Sequence, residues 1–277
     1  MKRIITIPFL LFWIISYSQT IEFDFTTTFK YKLTYQEDST NSANRLEIMF
    51  DLLVNDKESL FQSSKNVVKD SIYFFHKREL ANKIDFIGIA FVPLNKFNYK
   101  IVKSNDSIKT YDEVIGTNID GTFPLYCYKE DKKIFNNWEL MGDTLSIGGF
   151  LCQKASIHYG GRKWIAYFTT DIPISDGPYT FCGLPGLIMK IHDTKNFWNF
   201  DLISSIKHDP AKHTAINFQA KYVPSNVTKA QFYKKRKQYQ DDMLQILESV
   251  GVQVKTSTKE QYNKRLKSDN NWIQLLP

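Results

Sequence analysis

Phe23-Asp24-Phe25-Thr26-Thr27-Thr28-Phe29-Lys30-Tyr31-Lys32-Leu33-Thr34-Tyr35 places Phe23, Phe25, Phe29, Tyr31, Leu33 and Tyr35 on odd positions. A period of two is the spacing of side chains along one face of a β-strand, because successive Cβ atoms point to opposite sides of the pleat. The even positions carry Asp24, Thr26, Thr28, Lys30, Lys32 and Thr34. One face is therefore set against a core and the other toward water, the pattern of an antiparallel sheet. Downstream, Asp38-Ser39-Thr40-Asn41-Ser42 reads as a turn, and Leu46, Ile48, Phe50, Leu52 and Val54 alternate with Arg45, Glu47 and Asp51. The two segments are expected to pair as one long hairpin.

The same pattern continues outward. Short strands are expected at 58–62, 67–75, 84–92, 97–102 and 108–114, parted by polar breaks such as Asn55-Asp56-Lys57, which together suggest a meander. Strands also account for 145–158 and 162–170, joined at Gly160-Gly161, where two glycines supply the positive φ angles of a type I′ hairpin turn. Near the end, Thr228 followed by Gln231 makes a capping box, and Phe232, Tyr239, Met243, Ile246 and Val250 recur at helical spacing until Gly251. A helix of about 22 residues follows, its apolar stripe on the sheet and its basic turn, Lys234 to Lys237, toward water. The expected fold class is mainly β, a β-rich α+β chain: a curved antiparallel sheet or half-barrel with this long C-terminal-region helix packed against it.

Lys2 and Arg3 precede an uncharged apolar run from Ile4 to Ile15 that ends in Ser16-Tyr17-Ser18, the anatomy of a secretory signal peptide with cleavage between Ser18 and Gln19. Twelve apolar residues are too few for a bilayer, which needs about 20. Residues 1–18 are thus read as a leader and 19–277 as a single exported domain. With 43% hydrophobic residues, among them 21 Phe and 15 Tyr, the chain can bury a large core and is not disordered as a whole. Its net charge of +7, or +5 without Lys2 and Arg3, is dispersed except at Lys234 to Lys237. Nucleic acid is therefore not expected as a partner, and membrane contact is at most peripheral. Export into an oxidising compartment favours a disulfide between two of Cys127, Cys152 and Cys182, with buried thiols as the alternative. Their spacings match no zinc signature, and the chain has no Cys-x-x-Cys.

The segment from Trp164 to Ile188 contains Asp176-Gly177-Pro178-Tyr179-Thr180-Phe181-Cys182-Gly183-Leu184-Pro185-Gly186-Leu187-Ile188, followed by Met189 to Asp193. Pro185 and Gly186 suit the second and third positions of a type II turn, Gly183 permits close backbone approach, and Leu184, Leu187 and Ile188 would anchor the corner to the core. This segment resembles the signature of the GLPGLI family of Bacteroidota. Trp138, Cys152-Gln153-Lys154-Ala155, Gly161-Arg162, Asp38-Ser39-Thr40, Ser59-Leu60-Phe61 and Asn270-Asn271-Trp272-Ile273-Gln274-Leu275 fit the same pattern, although the family more often has proline where Trp272 stands. The resemblance implies an exported protein, in the periplasm or on the periplasmic face of the outer membrane, in a family whose activity is unknown and some of whose members are encoded near outer-membrane transport proteins.

Signatures of chemistry are sparse. The sequence has no Gly-x-Ser-x-Gly elbow, His-Glu-x-x-His or phosphate-binding glycine loop. Ser204-Ser205-Ile206-Lys207 has the Ser-x-x-Lys spacing without its companion motifs. His158, His192, His208 and His213 share no helical face that would gather a metal, so no metal, cofactor or catalytic residue is expected. The expected function is non-enzymatic binding or accessory work, either carrying an apolar small molecule or partnering an outer-membrane protein. The surface expected to serve it comprises Trp164, Tyr179, Phe181, Gly183, Leu184, Pro185, Gly186, Leu187 and Ile188. The alternative is a hydrolase whose site assembles only in three dimensions. An enclosed apolar cavity would favour the carrier, and a filled core with an exposed apolar patch the protein partner.

Overall fold

The computed structural model describes residues 20–68, 97–112, 126–209, 215–219, 225–249, 251 and 253–275. The leader, residues 69–75 of the strand expected at 67–75, the strand expected at 84–92, and His213 lie outside these residues. A single sheet of twelve strands dominates. β2 (Thr27–Gln36) and β3 (Arg45–Val54) pair along their full length, from Thr27 against Val54 to Gln36 against Arg45, as the hairpin the alternation demands. β4 (Ser59–Ser63), β5 (Tyr99–Lys103), β6 (Ser107–Asp112) and β7 (Tyr126–Asp131) continue as an antiparallel meander. On the other side of β2 lie β12 (Trp198–Lys207), β11 (Leu187–Asp193), β10 (Arg162–Thr169), β9 (Phe150–Tyr159) and β8 (Glu139–Ile147), which ends the sheet. One short ladder departs from the antiparallel rule: β14 (Ser225–Asn226) runs parallel to β7.

The curvature follows from contacts that a flat sheet forbids. Glu130 on β7 and Tyr159 on β9 are nine strands apart, about 43 Å at about 4.8 Å per strand. Yet the Tyr159 hydroxyl donates to Glu130 Oε2 at 2.9 Å. The sheet has curled until its two ends nearly meet. Phe61 of β4 and Phe200 of β12, with two strands between them, have ring centroids 6.2 Å apart inside the curl. The main core fills this concave side, drawing Tyr31, Leu33, Phe50, Phe61, Ile101, Trp164, Phe168 and Trp198 from both halves of the sheet.

The opening stretch divides where the sequence shows no break. A bend at Phe25 and Thr26 takes the chain out of the sheet, and β1 (Thr20–Asp24) pairs with β13 (Ala215–Gln219) as a separate ribbon. Phe23 and Phe25 then pack on the convex face with Leu53, Leu60, Tyr111 and Cys127. The ribbon thus gives the meander a second apolar layer, and β4 is buried at all five positions instead of alternating. Residues 64–68 are helical, so the strand expected from 67 does not begin there; Ser63 Oγ accepts from the Asn66 amide at 3.4 Å, in the manner of a cap.

The expected helix is α1 (Lys229–Ser249), opened by reciprocal bonds between Thr228 and Gln231 at 2.9 and 3.2 Å and followed by Gly251 at φ 83°. Phe232 packs on Tyr128, which points opposite to Cys127 and therefore into the concavity. The basic turn divides: Lys234 and Lys237 are exposed, but Arg236 is buried near Asp112, with its guanidinium over the rings of Tyr99 and Trp272. Burial is tolerated because carboxylate and aromatic faces replace water around the cation. A second helix, α2 (Thr256–Ser268), lacks a side-chain N-cap and buries only Tyr262, so neither capping nor an apolar stripe announced it. Among the described residues no helix is long and apolar enough to cross a membrane.

Candidate functional site

The Trp164 to Ile188 segment forms β10 and the corner that returns to β11, and that corner turns inward. Tyr179, Phe181, Cys182 and Leu184 are buried, and the Phe181 ring lies 4.7 Å from that of Trp164. Of the nine residues expected to form a ligand or partner surface, Trp164, Tyr179, Phe181, Leu184, Gly186, Leu187 and Ile188 are buried; Gly183 and Pro185 are exposed. Gly183 keeps the role expected of it, close backbone approach, since a Cβ there would lie 2.6 Å from the Phe135 carbonyl oxygen, but Gly186 does not take its own. Gly183 has the positive φ, 89°, while Gly186 does not, so Pro185-Gly186 is not a type II turn. A side chain at Gly186 would put Cβ 2.0 Å from the Thr169 carbonyl oxygen, so the need there is close approach between the corner and the end of β10.

Polar ties hold the corner from beneath. Lys103, fully buried, pairs with Asp176 and donates to the Gly177 carbonyl at 2.5 Å, while Ser59 Oγ donates to Asp176 Oδ2 at 2.5 Å. Trp138 Nε1 donates to the Cys182 carbonyl at 2.9 Å. A lysine, an aspartate and a serine together invite a catalytic reading, but here each spends its bonds on the chain itself, and the cavity described below does not reach them.

A second set of ties joins segments far apart in sequence. Arg162 donates to Asp193 Oδ2 at 3.1 Å, Asn271 Oδ1 at 2.6 Å, and the carbonyls of Trp272 and Ile273. The strap 270–275 continues with Asn271 Nδ2 on the Gln36 carbonyl, Asn270 Nδ2 on Asp38 Oδ1, and Gln274 Nε2 on the hydroxyls of Tyr159 and Tyr179. Asp38, held by bonds from Thr40 and Asn270, has its pKa lowered. Gly161-Arg162, Asp38 to Thr40 and Asn270 to Leu275, isolated motifs in the sequence, are one clasp in the fold.

Between the strap, α1 and the sheet lies a cavity of about 20 Å³, walled by Phe97, Tyr99, Trp198, Tyr233, Arg236 and Trp272, among others. It is room for a single water-sized guest. Sequence reasoning missed these residues because they come from five separate elements and loops, with no spacing to relate them.

Three of the exposed large apolar side chains lie elsewhere, along the β8–β9 edge. β8 is exposed along nearly its whole length, and Leu140 and Leu145 on it are 56% and 42% exposed, with Leu151 on β9 at 66%. Among the described residues the outer edge of β8 pairs with no strand. The hairpin turns at Gly148-Gly149, φ 58° and 87°, so the strand expected over 145–158 is two; a Gly-Gly pair was the available signal. Gly160-Gly161, at φ 60° and 76°, makes the expected turn.

The three cysteines are free and buried: Cys127 lies in the convex layer, Cys152 and Cys182 in the main core. The expected disulfide gives way to the alternative of buried thiols. Burial raises all three thiol pKa values, that of Cys182 to about 11. His208 Nε2 lies 2.8 Å from Thr28 Oγ1 and His192 Nδ1 3.0 Å from the Asp193 carbonyl, while His158 is exposed. Among the described residues no three His, Cys, Asp or Glu side chains converge on a metal position.

The fold is thus a β-rich curled sheet with a helix on its concave side. The profile of a family described as "Protein of unknown function (Porph_ging)" matches residues 161–190, the end of the β9–β10 turn through β10, the corner and the start of β11. No curated protein sequence matches the chain. Two solved structures, described as "Structure of PNGF-II in P21 space group" and "Structure of PNGF-II in C2 space group", align with TM-scores of 0.48 and 0.49 at 12% identity. Each alignment covers 76% of this chain and 32% of the other, so the chain spans about a third of the length of those proteins.

Proposed function

We propose that this chain is an exported, non-enzymatic accessory protein of the GLPGLI type, acting in the periplasm or at the periplasmic face of the outer membrane by binding another polypeptide along the β8–β9 edge. The observation that carries this reading is a nine-residue terminal strand, exposed at nearly every position, with Leu140 and Leu145 on it and Leu151 beside it. An unpaired strand presents a row of N–H and C=O groups to which an extended segment can add, and apolar side chains at the edge supply burial and register. The carrier variant has less support, since small-molecule sites usually offer 300–1,000 Å³ and the cavity beneath α1, among the described residues, is about 20 Å³. The hydrolase alternative has less support, since the Ser59, Asp176 and Lys103 group, which invites it among the described residues, is sealed in the core.

The test places a photo-crosslinking amino acid at 140, 145 or 151, and at exposed Lys207 as control, in the exported protein within its native cells. Adducts to one outer-membrane polypeptide at the edge positions, absent at 207 and lost in Leu140→Lys and Leu151→Lys variants that melt normally, would support the proposal. Adducts at none of the three, or equally at 207, would refute it.

A further inference from the structure

Ser59 on β4 and Lys103 on β5 stand opposite each other in the ladder, with the parity of Phe61 and Ile101, which belong to the main core. Asp176 meets them from the corner, where its backbone is held on both sides. Its N–H donates to the Ile174 carbonyl at 2.7 Å, and its carbonyl accepts from the Ile188 amide at 3.0 Å. The Lys103 side chain is 0% exposed and that of Asp176 9%. An ammonium has three N–H groups. Two of those on Lys103 go to the Gly177 carbonyl at 2.5 Å and the Phe181 carbonyl at 3.4 Å, which leaves the third for Asp176 Oδ1. Oδ1 also accepts from the Gly177 amide at 2.7 Å, and Oδ2 from the Ser59 hydroxyl at 2.5 Å.

We infer that Lys103 and Asp176 condense into an intramolecular isopeptide bond that ties β5 to the corner. The ammonium first passes a proton to Oδ1, its partner, and the lone pair this frees lies along the line to the carboxyl. Nζ then bonds to Cγ while the carbonyl electron pair moves onto Oδ2, where the Ser59 hydroxyl donates to the developing charge, as a preorganised oxyanion donor does. The Cγ–Oδ1 bond breaks, and Oδ1 takes a second proton from Nζ and leaves as water, held by the Gly177 amide as it departs. One ammonium and one carboxylate become one amide and one water, with no outside reactant. Fixed neighbours of this kind react as if at about 10⁵–10⁸ M. Condensation also removes two charges from the core, where an ion pair bears the cost of lost hydration, and a site closed to water protects the amide from hydrolysis.

The test is the mass of the mature chain, folded, then reduced and measured unfolded. The expected mass is lower than the sequence requires by one water. Tryptic digestion should yield a branched peptide in which the Lys103 side chain is joined to the segment holding Asp176, uncut after Lys103. Asp176-Gly177 can also lose water by closing a succinimide, so the place of the link distinguishes the two. Lys103→Met should restore the full mass, whereas a succinimide would persist in it. The digest of the parent chain decides the matter even where that variant fails to fold. Full mass in the parent, ordinary cleavage after Lys103, or a water loss that survives in Lys103→Met would overturn the assignment.

Discussion

Replacing Arg162 by alanine tests whether the clasp, and not the apolar corner alone, closes the concave side. Arg162 and Asp193 have side chains only 4% and 2% exposed, and their bond is 3.1 Å long. Removing one partner of a buried pair leaves the other charge without compensation and costs about 3–5 kcal/mol. Asp193 would retain the Trp198 amide at 2.8 Å, which softens the loss. Against that, the Trp272 and Ile273 carbonyls and Asn271 Oδ1 lose their donors, and the strap can recover water only by leaving its seat. The expected cost is about 4 kcal/mol, a large share of the 5–15 kcal/mol of a typical domain. Urea unfolding of the mature chain measures it. Hydrogen exchange supplies the local readout: the amides of Asn271 and Leu275, bonded to Glu37 and Gly160 carbonyls, should lose protection before the β2–β3 hairpin does. Arg162→Lys should restore little, since one ammonium cannot span the carboxylate, the amide and two carbonyls. A cost below about 1 kcal/mol, with the strap amides as protected as in the parent, would refute the reasoning.

Three other perturbations probe separate layers of the structure. Gly186→Ala drives a Cβ to 2.0 Å from a backbone oxygen that cannot rotate away, and should cost about 3 kcal/mol or prevent folding; Pro185→Ala, at an exposed position, should cost far less, and equal urea midpoints for the two would contradict the close-approach argument. Because burial raises the Cys182 pKa from 9.0 to about 11, the unfolded thiol ionises first, so its stabilisation is complete below pH 9 and fades as pH rises through 11. Buried Tyr31, Tyr128 and Tyr179, raised chiefly by the same cause, act with the same sign above pH 10. Urea midpoints should fall between pH 8.5 and 10.5, less steeply in Cys182→Ala, and a profile flat over that range would be inconsistent with burial of these groups. Thr228→Ala breaks the capping box and should cost about 1 kcal/mol, read as a lowered melting temperature with unchanged spectra below it; no change would show that the cap is replaced by water without loss.

What the sequence by itself determined is whatever depends on neighbours along the chain. Alternation from Phe29 to Tyr35 and from Leu46 to Val54 defines the hairpin, because strand period and pleat are local geometry. Thr228 with Gln231 defines where α1 starts, and Gly160-Gly161 a turn, because caps and positive φ are local too. Tertiary structure alone decided which face each apolar residue serves. Phe23 and Phe29 share a parity yet sit on opposite faces of the sheet, since a bend and a distant partner, β13, move the first to the convex side. The same holds for Arg236, whose charge marks it for water until Asp112, Tyr99 and Trp272 surround it, and for Arg162, whose partners stand over a hundred residues away in the strap. The exposed edge at β8 was equally hidden, because being last in a sheet is a property of strand order, which eleven mutually compatible pairings set together and no single strand encodes.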